Sequence, residues 1–254
     1  MQWDPAQYLR YADERLRPAL DLMARVPLAT PARVVDLGCG PGNVTAILKQ
    51  RWPEAAVTGV DSSPEMLGKA AASVPECRFE LGDFGTWMPE IAPDLIYSNA
   101  ALHWLGGHDT LFPRLLSLLS KGGVLAVQMP GMHAAPLRAL QHEVAASGPW
   151  AAALADVGFA RPILEPGAYW DLLRPRCTAL DMWETTYMHA LQGDNAAVQW
   201  AIGTSLKPFL DRLTPELREG YLAAYSKAMA GPYPRRADGS TLLPFRRVFM
   251  VATV

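Results

Sequence analysis

The stretch Arg33-Val34-Val35-Asp36-Leu37-Gly38-Cys39-Gly40-Pro41-Gly42 decides the fold. Its first half is mostly apolar, with two adjacent valines, and reads as a strand. The strand runs without a break into three glycines at alternate positions, and residues 43–52 then carry a helical pattern. Glycines let the backbone turn sharply and let a ligand approach where a Cβ would intrude. The helix that follows offers unpaired N–H groups at its start.

Working outward, Ala56–Asp61 is a second short strand, with Asp61 nineteen residues past Gly42. A carboxylate at that strand tip can accept hydrogen bonds from both hydroxyls of a ribose, and ligands of open α/β sheets bind at this edge. Ser62-Ser63-Pro64-Glu65 reads as a helix start, with the Ser62…Glu65 spacing of a capping box and proline just inside. A third strand spans Cys77–Leu81 and closes at Gly82-Asp83-Phe84. A fourth spans Asp94–Asn99. A helix over 109–120 ends in Lys121-Gly122-Gly123, and the fifth strand is Val124–Met129. Strands alternating with helices of about a dozen residues imply βαβ units and a parallel sheet.

The flanks are less regular. Residues 6–26 read as a helix restarted at Pro18, 131–165 as an irregular helical excursion and 167–176 as a short helix. Residues 181–190 are rich in β-formers, 194–231 are helical with a Thr214-Pro215-Glu216 start, and 247–254 form a last strand. The expectation is an α/β protein with a doubly wound, mostly parallel sheet in a single domain over 1–254. The core is expected over 27–130, 166–190 and 244–254, and a mostly helical cap over 1–26, 131–165 and 191–243.

Composition narrows the function classes. A chain of 254 residues suits one large domain, or one domain with a cap. Lys plus Arg total 23 and Asp plus Glu 25, a net charge of -2 that argues against a nucleic-acid partner. Cys39, Cys77 and Cys177 form no CxxC pair and no zinc-like cluster. An odd cysteine count and the lack of a secretory pattern point to a reducing, cytoplasmic setting, and no apolar run reaches membrane-spanning length. Neither a GxSxG nucleophile elbow nor a Walker A lysine motif occurs. A nicotinamide site usually reads GxGxxG, but here the third glycine comes four positions after the first and Asn43 stands at the fifth. A nicotinamide oxidoreductase therefore stays as an alternative, as do a tight turn without a ligand and an idle fold kept for interactions.

Asp36-x-Gly38-x-Gly40-x-Gly42 resembles the first motif of the S-adenosylmethionine-dependent methyltransferases built on a doubly wound sheet. The resemblance implies a seven-stranded sheet whose last strand lies antiparallel beside the sixth. It also implies S-adenosylmethionine as cofactor, held by Asp36, Gly38, Gly40, Gly42, Asp61, Ser62, Asp83, Phe84, Asn99 and Arg17. Asp83 would take the adenine amino group, Phe84 would stack or donate a backbone N–H, and Ser98–Trp104 would form the loop beside the sulfonium. Further blocks narrow the likeness: Trp3-Asp4-Pro5…Tyr8…Asp13-Glu14-Arg15-x-Arg17-Pro18, Ala101–Leu105, Gly122–Pro130, Trp183–Leu191 and Gly203–Leu210. Over nearly the whole chain these resemble the trans-aconitate 2-methyltransferase family.

That likeness implies transfer of a methyl group to a carboxylate, with a small polycarboxylate as the partner and a monomer or weak homodimer as the state. Methylation of another small acid or natural product is the runner-up. Tyr8, His103 and Trp104 are candidates to orient the substrate over the cofactor mouth. Lys207, Arg236 and Arg246 (from the pairs Arg235-Arg236 and Arg246-Arg247), with Gln128 at the end of strand five, are candidates to bind it. For each of these, plain packing or a solvated surface is the competing reading. Trp183, Trp200, Tyr221 and Tyr225 read as packing residues.

Overall fold

The computed structural model describes residues 16–158 and 163–254. Their elements, in order, are α1 (Arg17–Met23), β1 (Arg33–Leu37), α2 (Asn43–Arg51), β2 (Ala56–Asp61), α3 (Pro64–Ser73), β3 (Arg78–Leu81), β4 (Leu95–Asn99), α4 (His108–Ser117) and β5 (Val124–Pro130). There follow α5 (Pro136–Ser147), α6 (Ala151–Leu154), α7 (Pro166–Leu173), β6 (Ala179–Leu191), α8 (Ala196–Ile202), α9 (Lys207–Leu210), α10 (Pro215–Met229) and β7 (Thr241–Thr253). Short 3₁₀ turns cover Leu102–Trp104 and Arg174–Arg176. No helix among the described residues is long and apolar enough to cross a membrane.

The strands form one seven-stranded sheet in the order β3-β2-β1-β4-β5-β7-β6. The pairs β1–β2, β1–β4, β2–β3 and β4–β5 are parallel, while β7 runs antiparallel to β5. The expected sheet is thus observed, with the last strand between the fifth and the sixth. The strand order reverses between β1 and β4, which places the ligand-binding crevice outside the carboxyl ends of those two strands.

The chain divides into two compact units. The first holds the described part of Met1–Pro130 with Ile163–Glu184 and Arg247–Val254. In it the central strands β1, β4 and β5 are buried on both faces. Val127, Met129, Val248 and Met250 point to one side, where they pack with Phe112 and Leu115 of α4 and Tyr169 of α7. Alternation sends Tyr97 to the other side, and its hydroxyl donates to the Ala19 carbonyl of α1.

The second unit holds the described part of Gly131–Pro162 with Thr185–Arg246. Its core includes Leu137, Val144, Trp150, Phe209, Tyr221 and Tyr225. Tyr221 and Tyr225, one turn apart on α10, donate to the carbonyls of Gln141 and Leu137, also one turn apart on α5, at 3.0 and 2.8 Å. These tyrosines are fully buried packing residues, as their helical spacing implies. Trp183, in the first unit, stacks on Phe249 with ring centroids 4.7 Å apart.

Several boundaries move. The helical stretch 194–231 is three helices, because Gly203 and the prolines Pro208 and Pro215 break the ladder. The helix read as 109–120 runs over His108–Ser117, tightening into i→i+3 bonds at Leu118 and Leu119. β7 starts at Thr241 rather than 247; Pro244 reads as a breaker but stands at an exposed strand position. The first part of the 6–26 helix lies outside the described residues.

The capping reading also needs correction. The cap of α3 is Ser63, whose Oγ accepts from the Met66 N–H at 3.3 Å, rather than Ser62 in a box with Glu65. Glu65 instead pairs with Lys69 one turn on. The helix begins one residue later than the box spacing implies because the Asp61 carboxylate takes the Ser63 N–H at 2.9 Å and holds the preceding turn. Ser63→Ala should therefore cost about 1 kcal/mol in urea unfolding, and Ser62→Ala should stay within about 0.5 kcal/mol of wild type. Equal losses would restore the Ser62 cap.

Candidate active site

The glycine loop leaves β1 and crosses the top of the sheet. The N–H groups of Gly38 and Cys39 both donate to the Val60 carbonyl of β2, at 2.8 and 3.0 Å. Gly38 has φ +85°, and a Cβ there would collide with the Ala101 side chain. Gly40 has φ +53°, and a Cβ there would meet no protein atom within 4 Å. The two glycines thus serve different ends: Gly38 admits the loop after β4, and Gly40 leaves space open. Gly42 faces the helix layer instead, where a Cβ would meet Ala70 of α3 at 3.1 Å.

Gly38, Gly40, Asp61, Ser62, Asp83 and Phe84 line one cavity of about 380 Å³, within the range of small-molecule sites. It opens at the strand-order reversal. Asp61 is fixed at its edge: Oδ2 accepts from Gly40 N–H and Oδ1 from Ser63 N–H, both at 2.9 Å. A carboxylate offers about four lone-pair sites, so it retains acceptor capacity toward the cavity. Asp83 Oδ1 accepts from Gly85 N–H at 2.8 Å. The Phe84 carbonyl accepts from the Arg114 guanidinium at 2.6 Å, which pins the loop after β3.

Four further lining residues, Ala100, Ala101, Trp104 and Leu105, come from the loop after β4. Ala100 has φ +54°, a left-handed conformation unusual for a residue with a Cβ. It is held by its N–H bond to the Gln128 carbonyl at 2.9 Å. Behind this loop stands a buried pair. His108 Nε2 bonds to the Leu102 carbonyl at 3.1 Å, so Nδ1 is free to accept from the Tyr169 hydroxyl. Burial lowers the His108 pKa and keeps it neutral, as that tautomer requires. Trp104 is 69% exposed at the cavity rim, which sets it apart from a packing residue. His103 lies half-buried against it, with ring centroids 4.6 Å apart.

The remaining sequence candidates fall elsewhere. Asp36 is buried beneath the loop and accepts from the Thr45 hydroxyl of α2 at 2.6 Å. Asn99 ends β4, and Gln128 is fully buried on β5. Arg17 is an exposed residue at the start of α1. Tyr8 lies outside the described residues. Lys207, Arg236 and Arg246 belong to the second unit. Lys207 is exposed and pairs with Asp211 at 2.6 Å, Arg236 is exposed in a turn closed by Ser240, and Arg246 is half-buried.

Sequence reasoning missed Thr45, Leu105, Arg114 and the His108–Tyr169 pair, and it gave Ala100 no role beyond a place in the loop after the fourth strand. Only Thr45 had a visible signal, a hydroxyl in the first turn of the helix that follows the loop.

Comparison with known proteins agrees with the geometry. Residues 34–123 match the family model described as "Methyltransferase domain". The trans-aconitate 2-methyltransferase of Methylobacterium radiotolerans is 54% identical over 253 residues, covering 98% of this chain and 97% of its own. That of Variovorax paradoxus is 50% identical, covering 99% and 98%. The chain belongs to the trans-aconitate 2-methyltransferase family. Among solved structures, the YcgJ protein of Bacillus subtilis shares the fold, with a TM-score of 0.60 at 15% identity, covering 93% of this chain and 97% of its own. An S-adenosylmethionine-dependent methyltransferase from Mesorhizobium loti aligns with a TM-score of 0.53 at 21% identity, covering 96% and 99%.

The site carries a pH signature for this family member. Burial pushes the Asp36 pKa up to about 7, against the stabilising Thr45 bond, and the nearby negative charge of Asp61 adds to the rise. The folded chain therefore keeps a proton that the unfolded chain loses near pH 4, and stability falls as pH rises through that window. Asp36→Asn has no such titration. Its stability relative to wild type should climb between pH 4 and 7, by about 1–4 kcal/mol, and level off above. A difference that is constant with pH would contradict the raised pKa.

Proposed function

We propose that this protein uses S-adenosylmethionine to methylate a carboxylate of trans-aconitate, giving a monomethyl ester. One observation carries the reading most directly. The cavity at the strand-order reversal gathers the open glycine loop, the Asp61 carboxylate and the Asp83-Phe84 turn. Full-length relatives bearing the trans-aconitate name support the substrate.

The residues present fit such a cofactor. Gly40 leaves room for the amino-acid arm, since nothing occupies the space its Cβ would take. Asp61, with spare acceptor sites, suits the ribose hydroxyls. Asp83 and Phe84 suit the adenine, one by accepting from its amino group and the other by stacking. Asp36 supports the loop from below rather than facing the cavity, through its bond to Thr45. When bound, S-adenosylmethionine supplies an electrophilic methyl group.

The demands on the protein are modest. A carboxylate with a pKa near 4 is already ionised at neutral pH, so no general base is needed. The neutral His108, engaged at both ring nitrogens, is not required to move a proton. What the chain must do is hold the acid oxygen in line and keep water out. Positioning of this kind can lower a barrier by roughly 7–11 kcal/mol. Trp104 at the rim is placed to wall the approach, with His103 against it as a donor. The braced Leu102–Trp104 turn keeps both in position.

The test is a panel of acids with methyl-labelled S-adenosylmethionine. Label should pass to trans-aconitate as a base-labile ester, with citrate, isocitrate and fatty acids poorer acceptors. Transfer to fatty acids but not to trans-aconitate, or to none of the acids, would overturn the reading.

A further inference from the structure

The described part of the first unit holds a group of buried polar side chains outside the cavity. Gln128 is wholly buried, yet neither its Oε1 nor its Nε2 has a hydrogen-bond partner among the described residues. The Asn99 Oδ1 beside it is likewise unpartnered. Buried polar atoms are nearly always paired, so an orphaned amide in a sheet needs a reason. An apolar residue of the same shape would fill the space without the penalty.

Register shows what surrounds that amide. Asn99 pairs with Gln128 across β4 and β5, and Gln128 pairs with Phe249 across β5 and β7. Alternation along β7 puts Arg247 on the same face as Phe249, opposite Pro130. Arg247 is buried, with 7% of its surface exposed. The amide and the guanidinium rise from diagonal positions on neighbouring strands, with backbones about 7–8 Å apart. A carboxylate accepting from both can bridge such a gap. Phe249, directly opposite Gln128, stacks on Trp183.

The row begins where the cofactor loop ends. Ala100, which lines the cavity, follows Asn99 directly and bonds to the Gln128 backbone. Asn99, Gln128 and Arg247 thus lead away from the strand-order reversal along one face of the sheet. Both donor groups are buried, so water competes weakly with a bound anion.

We propose that Gln128 and Arg247, with Asn99 beside them, form the subsite for a non-reacting carboxylate of the substrate. Arg247 supplies the charge and the fork that matches a carboxylate, and Gln128 donates from Nε2. This assigns recognition to the inner arginine of the Arg246-Arg247 pair. The inference rests on the carboxyl-methyltransferase reading of the site.

Two substitutions test it in the full-length protein. Gln128→Met removes the orphaned polar atoms while keeping volume, so its thermal unfolding midpoint should equal or exceed that of wild type. S-adenosylhomocysteine affinity should stay within twofold, and KM for trans-aconitate should rise at least tenfold with kcat changed less. Arg247→Lys keeps the charge but loses the fork, and KM should again rise at least tenfold with S-adenosylhomocysteine affinity within twofold. A trans-aconitate KM within twofold of wild type in Gln128→Met would overturn the subsite while leaving the reaction standing. A KM rise accompanied by equal loss of S-adenosylhomocysteine affinity would reassign the group to the cofactor. A wild-type protein that methylates no carboxylic acid would overturn both the subsite and the reaction it rests on.

Discussion

Gly38 carries no side chain, and the space one would need is filled by Ala101. Everything at the top of the sheet depends on that close approach. It lets the loop after β1 meet the loop after β4 where the strand order reverses. A cavity follows because Gly40, two residues on, faces open space while Ala101 and Leu105 close the other wall. The loop is then tied to β2 from both sides, through the Val60 carbonyl and the Asp61 carboxylate. The same carboxylate orders the start of α3 through Ser63. One residue therefore couples the glycine turn, the second strand and the following helix.

The first half of this fold was legible because its signals are local. β1, α2, β2 and α3 fall almost where strand composition, alternate glycines and a proline-led helix start put them. Gly38, Gly40, Asp61, Ser62, Asp83 and Phe84 were readable as a set because each sits at a strand end, and a parallel sheet brings strand ends together. The resemblance to a known methyltransferase family supplied the roles that spacing alone left open.

What stayed hidden depends on contacts between distant residues. Nothing near His108 in sequence announces Tyr169, 61 positions away, yet that bond braces the Leu102 turn. Arg114 reaches back 30 positions to the Phe84 carbonyl. The cap of α3 shifted by one serine because a carboxylate from the preceding strand claimed the turn, a tertiary effect that a four-residue spacing does not contain. Among the basic residues, sequence gave no reason to prefer Arg247 over Arg246; burial and strand register separate them. A net charge of -2 offers a polyanion no long-range attraction, so selectivity has to come from a few well-placed donors of this kind.

The central claim is that the crevice at the strand-order reversal holds the cofactor through Asp61. Calorimetric binding of S-adenosylhomocysteine to wild type and to Asp61→Ala tests it most directly, with NADH as the control ligand. The account predicts binding to wild type, at least a tenfold weaker affinity in Asp61→Ala with folding retained, and no heat from NADH. Equal affinity in the two proteins, or saturable binding of NADH, would contradict it.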